Sequence, residues 1–136
     1  MRKQYHFRPS DRGLLAWDID RLVRLSSQLP RIHVGLDSIR ELDEPFWFGD
    51  ESDPPTCRAI LEHVRFIEAA DLSFPIILSS DGRVMDGMHR VVKAVLLGRE
   101  TIEAVRFTVA LEPDYVGVRP EDLPYEESLE KATRNA

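Results

Sequence analysis

The sequence is poor in cysteine, in long apolar runs and in surplus positive charge. Its 136 residues contain one cysteine, Cys57, so an internal disulfide is excluded, as is usual in a reducing cytoplasm. No apolar run approaches the roughly 20 residues of a membrane-spanning helix, and no signal peptide opens the chain. The formal net charge of −6 argues against broad binding to nucleic acid, which uses basic surface to displace counterions. We expect a cytoplasmic protein without a membrane segment.

The composition is that of a single globular domain. With 43% hydrophobic and 31% charged residues, the chain has the balance from which one buried core is built. We interpret residues 1–30 as a loosely packed basic arm followed by a helix, and residues 31–111 as the core domain. Residues 112–136 form an acidic, proline-containing tail with a short helix expected near residues 126–132. The opposite charges of the two ends suggest contact between them, or a homodimer.

Apolar periodicity predicts an α/β (α+β) fold, a small mixed sheet with helices packed on it. We expect strands near residues 31–36, 75–78, 83–85 and 102–109, and helices near residues 18–28, 56–69 and 87–97. The expected caps of the first two helices are Asp18 and Thr56. The second helix should bury the stripe Cys57, Ile60, Leu61, Val64 and Ile67, which makes Cys57 a small buried side chain rather than a nucleophile. The third should bury Met88, Val91, Val92, Val95 and Leu96.

The chemistry lies where the third predicted helix begins, in the 86–90 segment Asp-Gly-Met-His-Arg. The first N–H groups of a helix have no partner within it, and the helix dipole places about half a positive charge there. Gly87 lets a ligand approach the backbone closely, while His89 and Arg90 add two side-chain donors in the first turn. This combination favours a phosphate or another anion.

A plainer interpretation of the same residues stays open. Asp86 is then only the N-cap, Gly87 only a turn residue, and His89 and Arg90 are solvated side chains. Basic residues are, however, electrostatically disfavoured at a helix N-terminus, so two of them in one first turn ask for a reason. We therefore favour the anion site.

The segment D-G-M-H-R-V-V-K-A-V-L-L-G-R-E-T-I-E-A-V resembles the signature of the ParB/sulfiredoxin-like superfamily, some of whose members are labelled ParB-like nucleases. In that family a strand ends in a short Asp-Gly-x-His-Arg or Gly-x-x-Arg box, a helix follows, and a glycine precedes the last strand. The resemblance covers residues 32–107, because the residues Val-Gly-Leu-Asp-Ser-Ile at 34–39 are similar to the family's opening strand and helical turn. It implies the family's fold and a nucleotide-binding pocket. The phosphates of the bound nucleotide would contact Gly87, Met88, His89 and Arg90.

The same resemblance implies ATP, ADP or CTP as the ligand, with Mg²⁺ as an optional companion, and a phosphotransferase or NTP hydrolase as the activity. Sulfiredoxins carry a cysteine where this chain has Met88, and partitioning proteins continue into DNA-binding and dimerisation segments that 136 residues do not hold. We therefore interpret the chain as a solitary core domain. A non-catalytic regulatory module with a protein partner stays open as the alternative, whereas a DNA-binding or nuclease role rests on the family label alone.

The least regular stretch of the chain, residues 43–55, follows the first helical turn of the core domain. It contains three consecutive aromatic residues, of which Phe46 or Trp47 either covers the pocket and stacks on a base or plugs an edge of the core. Loops of this kind often carry function, and both roles stay open.

Candidate catalytic residues are all carboxylates. Some members of the resembled superfamily are kinases that phosphorylate free serine, and the resemblance to them implies a catalytic acid within residues 41–44. The candidates are Glu41, Asp43 and Glu44, and Asp86 either caps the helix or assists a metal. A carboxylate near a bound phosphate holds Mg²⁺ or accepts a hydroxyl proton. Each of these acids is equally well interpreted as a solvated surface side chain, and no metal-ligand set accompanies them.

Overall fold

A computed structural model of the chain describes residues 2–49 and 53–126, which divide into two compact units. The described residues of the first unit lie within 1–27 and 111–126, and those of the second lie within 28–110. The strands are β1 (Tyr5–Arg8), β2 (Leu15–Asp18), β3 (Ile32–Gly35), β4 (Ile76–Leu78), β5 (Val84–Asp86), β6 (Thr101–Arg106) and β7 (Tyr115–Val116). The helices are α1 (Ile19–Ser26), α2 (Cys57–Ala69) and α3 (Met88–Leu96), with 3-10 turns at Leu36–Ser38, Arg40–Asp43 and Pro120–Asp122. The predicted α/β class is confirmed.

In the first unit both ends of the chain enter one sheet. β2 lies between β1 and β7 and is antiparallel to both. The buried Trp17 donates from Nε1 to the carbonyl of Leu111 at 3.1 Å, and Asp18 caps α1 as predicted by accepting from the N–H of Asp20. The sequence predicts a loose arm and a separate tail instead, because strands of four and two residues are too short to leave a periodic signal. The helix predicted near residues 126–132 extends beyond the described residues.

The second unit contains a four-stranded sheet in the order β3-β6-β4-β5. β4 runs parallel to β6, while β3 with β6 and β4 with β5 pair antiparallel. All three residues of β4 are buried because this strand has a neighbour on each side, as its continuous apolar run indicates. The strands lie where they were predicted, except that the last one ends at Arg106 rather than near residue 109.

The hydrophobic core of the second unit lies between this sheet and α3. It consists of Leu36, Ile39, Ile76, Leu78, Val84, Met88, Val91, Ala94, Ile102 and Ala104. The inner face of α3 was predicted only in part, since Val95 and Leu96 are 45% and 73% exposed. Ala94, which is too small to stand out in an apolar pattern, lies on the inner face instead.

α2 turns most of its predicted apolar stripe away from the core. Thr56 caps the helix as expected, by accepting from the N–H of Ala59. Of the stripe, however, only Ile67 is buried, whereas Cys57, Ile60, Leu61 and Val64 are all exposed. The prediction of a buried Cys57 is therefore wrong.

The side of α2 that packs against α3 carries small and polar residues instead. Near the beginning of α3, His63 meets His89. Further along, Lys93 Nζ donates to the carbonyls of Glu68 at 2.9 Å and Ala70 at 2.7 Å. A lysine at these positions satisfies carbonyls that a helix leaves unpaired at its C-terminus. The lysine holds the end of α2 against the later part of α3, whereas the His63–His89 contact lies at the start of α3, where the candidate site lies.

Candidate functional site

β5 passes into α3 through Gly87, the residue on which the candidate site is built. Gly87 has a φ of 106°, in the left-handed region that L side chains rarely adopt, and it forms the N-cap of α3. Within the described part of the chain no side chain caps this helix end. Of the two roles expected for Asp86, the cap is therefore wrong, because Gly87 is the N-cap and the Asp86 carboxylate accepts from Arg90. Among the residues described, no side chain accepts a hydrogen bond from the first N–H groups of α3.

Arg90 folds back across Gly87 and closes the site on one side. Its Nη2 donates to Asp86 Oδ2 at 3.0 Å, and its side chain is only 17% exposed. A Cβ at Gly87 would lie 2.7 Å from Arg90 Nη2 and 2.7 Å from Ile76 Cγ2, so only glycine leaves room for the guanidinium. Arg90 Nε is buried and has no hydrogen-bond partner among the residues described. Nη2 is thus paired with Asp86, whereas Nε, on the same edge of the guanidinium, has no partner among the described residues.

His89 is paired with a second histidine, His63 of α2. His63 Nδ1 and His89 Nε2 are 2.8 Å apart, so one imidazole donates and the other accepts. The ring centroids are 5.1 Å apart and the planes differ by 22°, which with this hydrogen bond places the rings edge to edge. Trp47 lies across both rings, 4.4 Å from the centroid of His63 and 4.7 Å from that of His89. Because Trp47 also packs against the hydrophobic core, its position matches the predicted plug.

The environment of the pair favours neutral imidazoles. Burial, and next the neighbouring charge of His63, lower the pKa of His89 to about 4. Burial also lowers the pKa of His63, although the charges of Glu62 and Asp53 act to raise it. The hydrogen bond needs one bare nitrogen, so two protonated rings cannot both keep it. Near neutral pH the site therefore contains one cation, Arg90, and not the two positive side chains expected from the sequence.

Two of the three candidate catalytic acids within residues 41–44 are engaged elsewhere, and the third is exposed. Glu41 is buried, and its Oε2 accepts from the N–H of Val84 at 2.7 Å. Its Oε1 lies 3.8 Å from Arg83 Nη1 and accepts no hydrogen bond from the described residues. Glu44 accepts from Arg83 Nη1 at 2.7 and 2.9 Å, while Asp43 is exposed. Within residues 2–49 and 53–126, none of these three carboxylates bonds to the 86–90 segment.

Sequence reasoning missed His63 and its partnership with His89. The missed signal is the face shared by Ala59, His63, Ile67 and Ala70, whose members are less exposed than the apolar stripe beside it. Small residues on a helix face permit close approach of a neighbouring helix, and a histidine between them then meets that neighbour. Apolar periodicity alone pointed to the other face.

A pocket of about 390 Å³ lies in the same unit but away from the 86–90 segment. His33, Arg99 and Glu103 are among the residues that line it. Glu103 already pairs with Arg31, whose Nη1 is 3.2 Å from its Oε2. None of residues 86–90 lines this pocket. We place the candidate site at the beginning of α3 because the hydrogen-bond donors lie there.

Comparison of the chain with protein-family models, with curated proteins and with solved structures gives no match. Among the residues that the structure describes, no three or more His, Cys, Asp or Glu side chains are grouped so that they could hold a metal ion. Nor does any helix in the described ranges have the length and apolarity to cross a membrane. The resemblance to the ParB/sulfiredoxin-like superfamily, together with the nucleotide and Mg²⁺ that it implies, stays a prediction.

Proposed function

We propose that this chain binds a phosphate-bearing ligand, a nucleotide in the first place, at the beginning of α3. The observation that carries the proposal is the guanidinium of Arg90, which lies over Gly87 with a buried Nε that has no partner in the described ranges. The same place presents the uncapped N–H groups of the helix and the positive end of its dipole. These are the donors that a phosphate group needs.

In the proposed site, Asp86 holds the Arg90 side chain in place before a ligand binds. Its carboxylate holds the Arg90 guanidinium by accepting one hydrogen bond from Nη2 at 3.0 Å. An incoming phosphate would accept from the unpaired Nε and compete with Asp86 for Nη2, because Nε and Nη2 together form the edge that a guanidinium offers to one oxyanion. His89 would contribute at most hydrogen bonding, since it is neutral near pH 7. Arg90 and the helix end therefore supply the attraction for the anion.

The choice of a nucleotide rests on the resemblance of the 86–90 segment to the ParB/sulfiredoxin-like box, with ATP, ADP and CTP as the ligands to test. A base-stacking role for Trp47 is not part of the proposal, because the histidine pair already covers one face of its ring. Mg²⁺ would arrive with the nucleotide phosphates.

Binding without turnover is the form that the geometry favours. The candidate catalytic acids Glu41 and Glu44 are held by the Val84 N–H and by Arg83, and Asp86 is held by Arg90. A general base has to reach the proton that it removes; these three carboxylates are already engaged, and the exposed Asp43 makes no bond to residues 86–90. Incubation with each nucleotide and Mg²⁺ should therefore leave the nucleotide intact, and a product formed at a steady rate would favour the phosphotransferase or hydrolase instead.

Calorimetric titration with ATP, ADP and CTP tests the binding itself. Replacing Arg90 by Gln should lower the affinity for the tightest of these ligands by about 10-fold to 100-fold, which is the usual effect of losing a hydrogen bond to a charged group. Asp86→Asn should act in the opposite direction, because it removes the carboxylate that competes for the guanidinium. Arg24→Gln, an equal change of charge at an exposed position of α1, should leave affinity unchanged. Equal affinity in all four proteins, or no binding by any, would contradict the proposal.

A further inference from the structure

The two histidines that join α2 to α3 face each other along a straight line. His63 Nδ1 and His89 Nε2 are 2.8 Å apart. The ring centroids are 5.1 Å apart, which is about the distance between these nitrogens plus one ring radius at each end. Both nitrogens therefore lie on the line between the rings, and their in-plane bonding directions point at one another. Two imidazoles coordinate an ion from opposite sides in this orientation.

The indole of Trp47 covers the space between the two nitrogens. Its centroid is 4.4 Å from that of His63 and 4.7 Å from that of His89, and its plane differs from theirs by only 15° and 13°. With the 5.1 Å between the histidine rings, these distances place the Trp47 centroid about 3.8 Å from the midpoint of the pair, within the roughly 6 Å of a cation–π contact. An ion between the nitrogens would thus lie beneath the face of the indole.

The surroundings of the pair favour a cation that needs few ligands. The charges of Glu62 and Asp53 act on His63 and attract positive charge. A four-coordinate ion such as Zn²⁺ lacks ligands here, because residues 2–49 and 53–126 bring no three His, Cys, Asp or Glu side chains together for a metal. A linear ion needs only the two nitrogens.

We infer that His63 and His89 form a two-coordinate site for a soft monovalent cation, Cu⁺ or its analogue Ag⁺, held between the facing nitrogens and beneath Trp47. These d¹⁰ ions favour two ligands in a line, and imidazole is a ligand that suits copper. The proton of the hydrogen bond moves to the far nitrogen of its own ring, so both facing lone pairs become free and both rings stay neutral. The inference does not rest on the proposed phosphate site.

Binding requires the two rings to move apart. Two metal–nitrogen bonds of about 2 Å each separate the nitrogens to about 4 Å, from 2.8 Å in the hydrogen-bonded pair. The first half of α2 gives room for this movement, because Ile67 is the one buried residue of the helix and Lys93 holds only its end. Imidazoles coordinate in the plane of the ring, so Trp47 keeps its place on their faces.

Titration of the purified full chain with Ag⁺ tests the site, in a Cys57→Ser background that removes a competing exposed thiol. One Ag⁺ per chain should bind and quench the emission of Trp47, because a heavy ion then lies against its ring. His63→Phe and His89→Phe should each weaken binding by more than about 100-fold, since even partners outside a ligand set are worth about 10-fold to 100-fold. His33→Phe, the same change at an exposed histidine, should leave binding unchanged. Equal affinity in all four proteins, or no binding by any, would overturn the inference.

Nitrogen NMR of the imidazole rings identifies the ligand atoms without a substitution in the pair. Added Ag⁺ should shift His63 Nδ1 and His89 Nε2 furthest and leave the proton of each ring on its other nitrogen. Cu⁺, kept reduced with ascorbate, should shift the same two atoms. Zn²⁺ should bind at least about 10-fold more weakly than Ag⁺, because it lacks its further ligands. Largest shifts at another histidine, or equal affinity for Zn²⁺, would contradict a linear site.

Replacing Trp47 by Leu tests the position of the ion. The affinity for Ag⁺ should fall by about 3-fold to 30-fold, the range that a cation–π contact covers, while the same two nitrogens still shift. Unchanged affinity would contradict an ion beneath the indole.

Discussion

Acidification should destabilise the fold through the His63–His89 pair. The folded protein holds the pKa of His89 at about 4, below its ordinary value of 6.5, so the unfolded chain takes up a proton first as the pH falls. The stability contributed by the neutral ring is therefore complete above about pH 6.5. It declines as the pH drops and is fully lost near pH 4.

The size of this effect follows from the interval between the two pKa values. Each pKa unit corresponds to about 1.4 kcal/mol, so the interval from 6.5 to about 4 sets an upper limit of about 3 kcal/mol. His89 is only partly buried, and solvent screening reduces the contribution. We expect a total of about 1–2 kcal/mol, of which about 1 kcal/mol is lost between pH 7.5 and pH 5.0.

Urea unfolding followed by far-ultraviolet circular dichroism measures this loss. The wild type is compared with His89→Phe, which keeps an aromatic ring beneath Trp47 but does not titrate. The free energy of unfolding of the wild type should fall by about 1 kcal/mol more than that of the variant between pH 7.5 and pH 5.0. Carboxylates titrate in both proteins and cancel in the comparison. An equal fall in both, or a His89 ring that titrates near pH 6.5 by NMR, would refute the reasoning.

Substitutions at three positions test the remaining contacts of the second unit. Glu41→Ala should lower the free energy of unfolding in urea by about 2–4 kcal/mol, because it leaves the N–H of Val84 without an acceptor. Glu41→Gln should lower it by only about 1 kcal/mol, and equal losses in the two variants would contradict this. Gly87→Ala should cost about 2–3 kcal/mol, since its Cβ meets the guanidinium of Arg90 at a positive φ, and a loss below about 0.5 kcal/mol would show the fit to be loose. Lys93→Met should cost about 1 kcal/mol and speed amide exchange at the end of α2, and unchanged exchange there would argue against the lysine contact.

The sequence predicts the elements of the second unit because each carries a strong local signal. The apolar run of β4, the turn at Gly82 and the glycine after α3 define a hairpin, a helix and a strand with little help from tertiary contacts. The first unit gave weaker signals. β1 and β7 are short, and the two residues of β7 form a strand only because they pair with β2.

The candidate site was predicted in place but not in detail. Gly87 and Arg90 lie at the helix start as expected, but the direction of each side chain depends on partners far along the chain. His89 is paired with a histidine 26 residues away, and Asp86 holds an arginine rather than the helix end. The face that α2 buries was predicted wrongly because periodicity locates an apolar stripe and does not identify what covers it.

The most direct test of the proposed site is an NMR titration of the ¹⁵N-labelled chain from chloride into inorganic phosphate at constant ionic strength. If the beginning of α3 holds an anion, the amide signals of Met88, His89 and Arg90 should move furthest, and they should saturate together. The same titration of Arg90→Gln should require about 10-fold more phosphate. Shifts that are small and unsaturated throughout, or that are largest at another segment, would contradict the account.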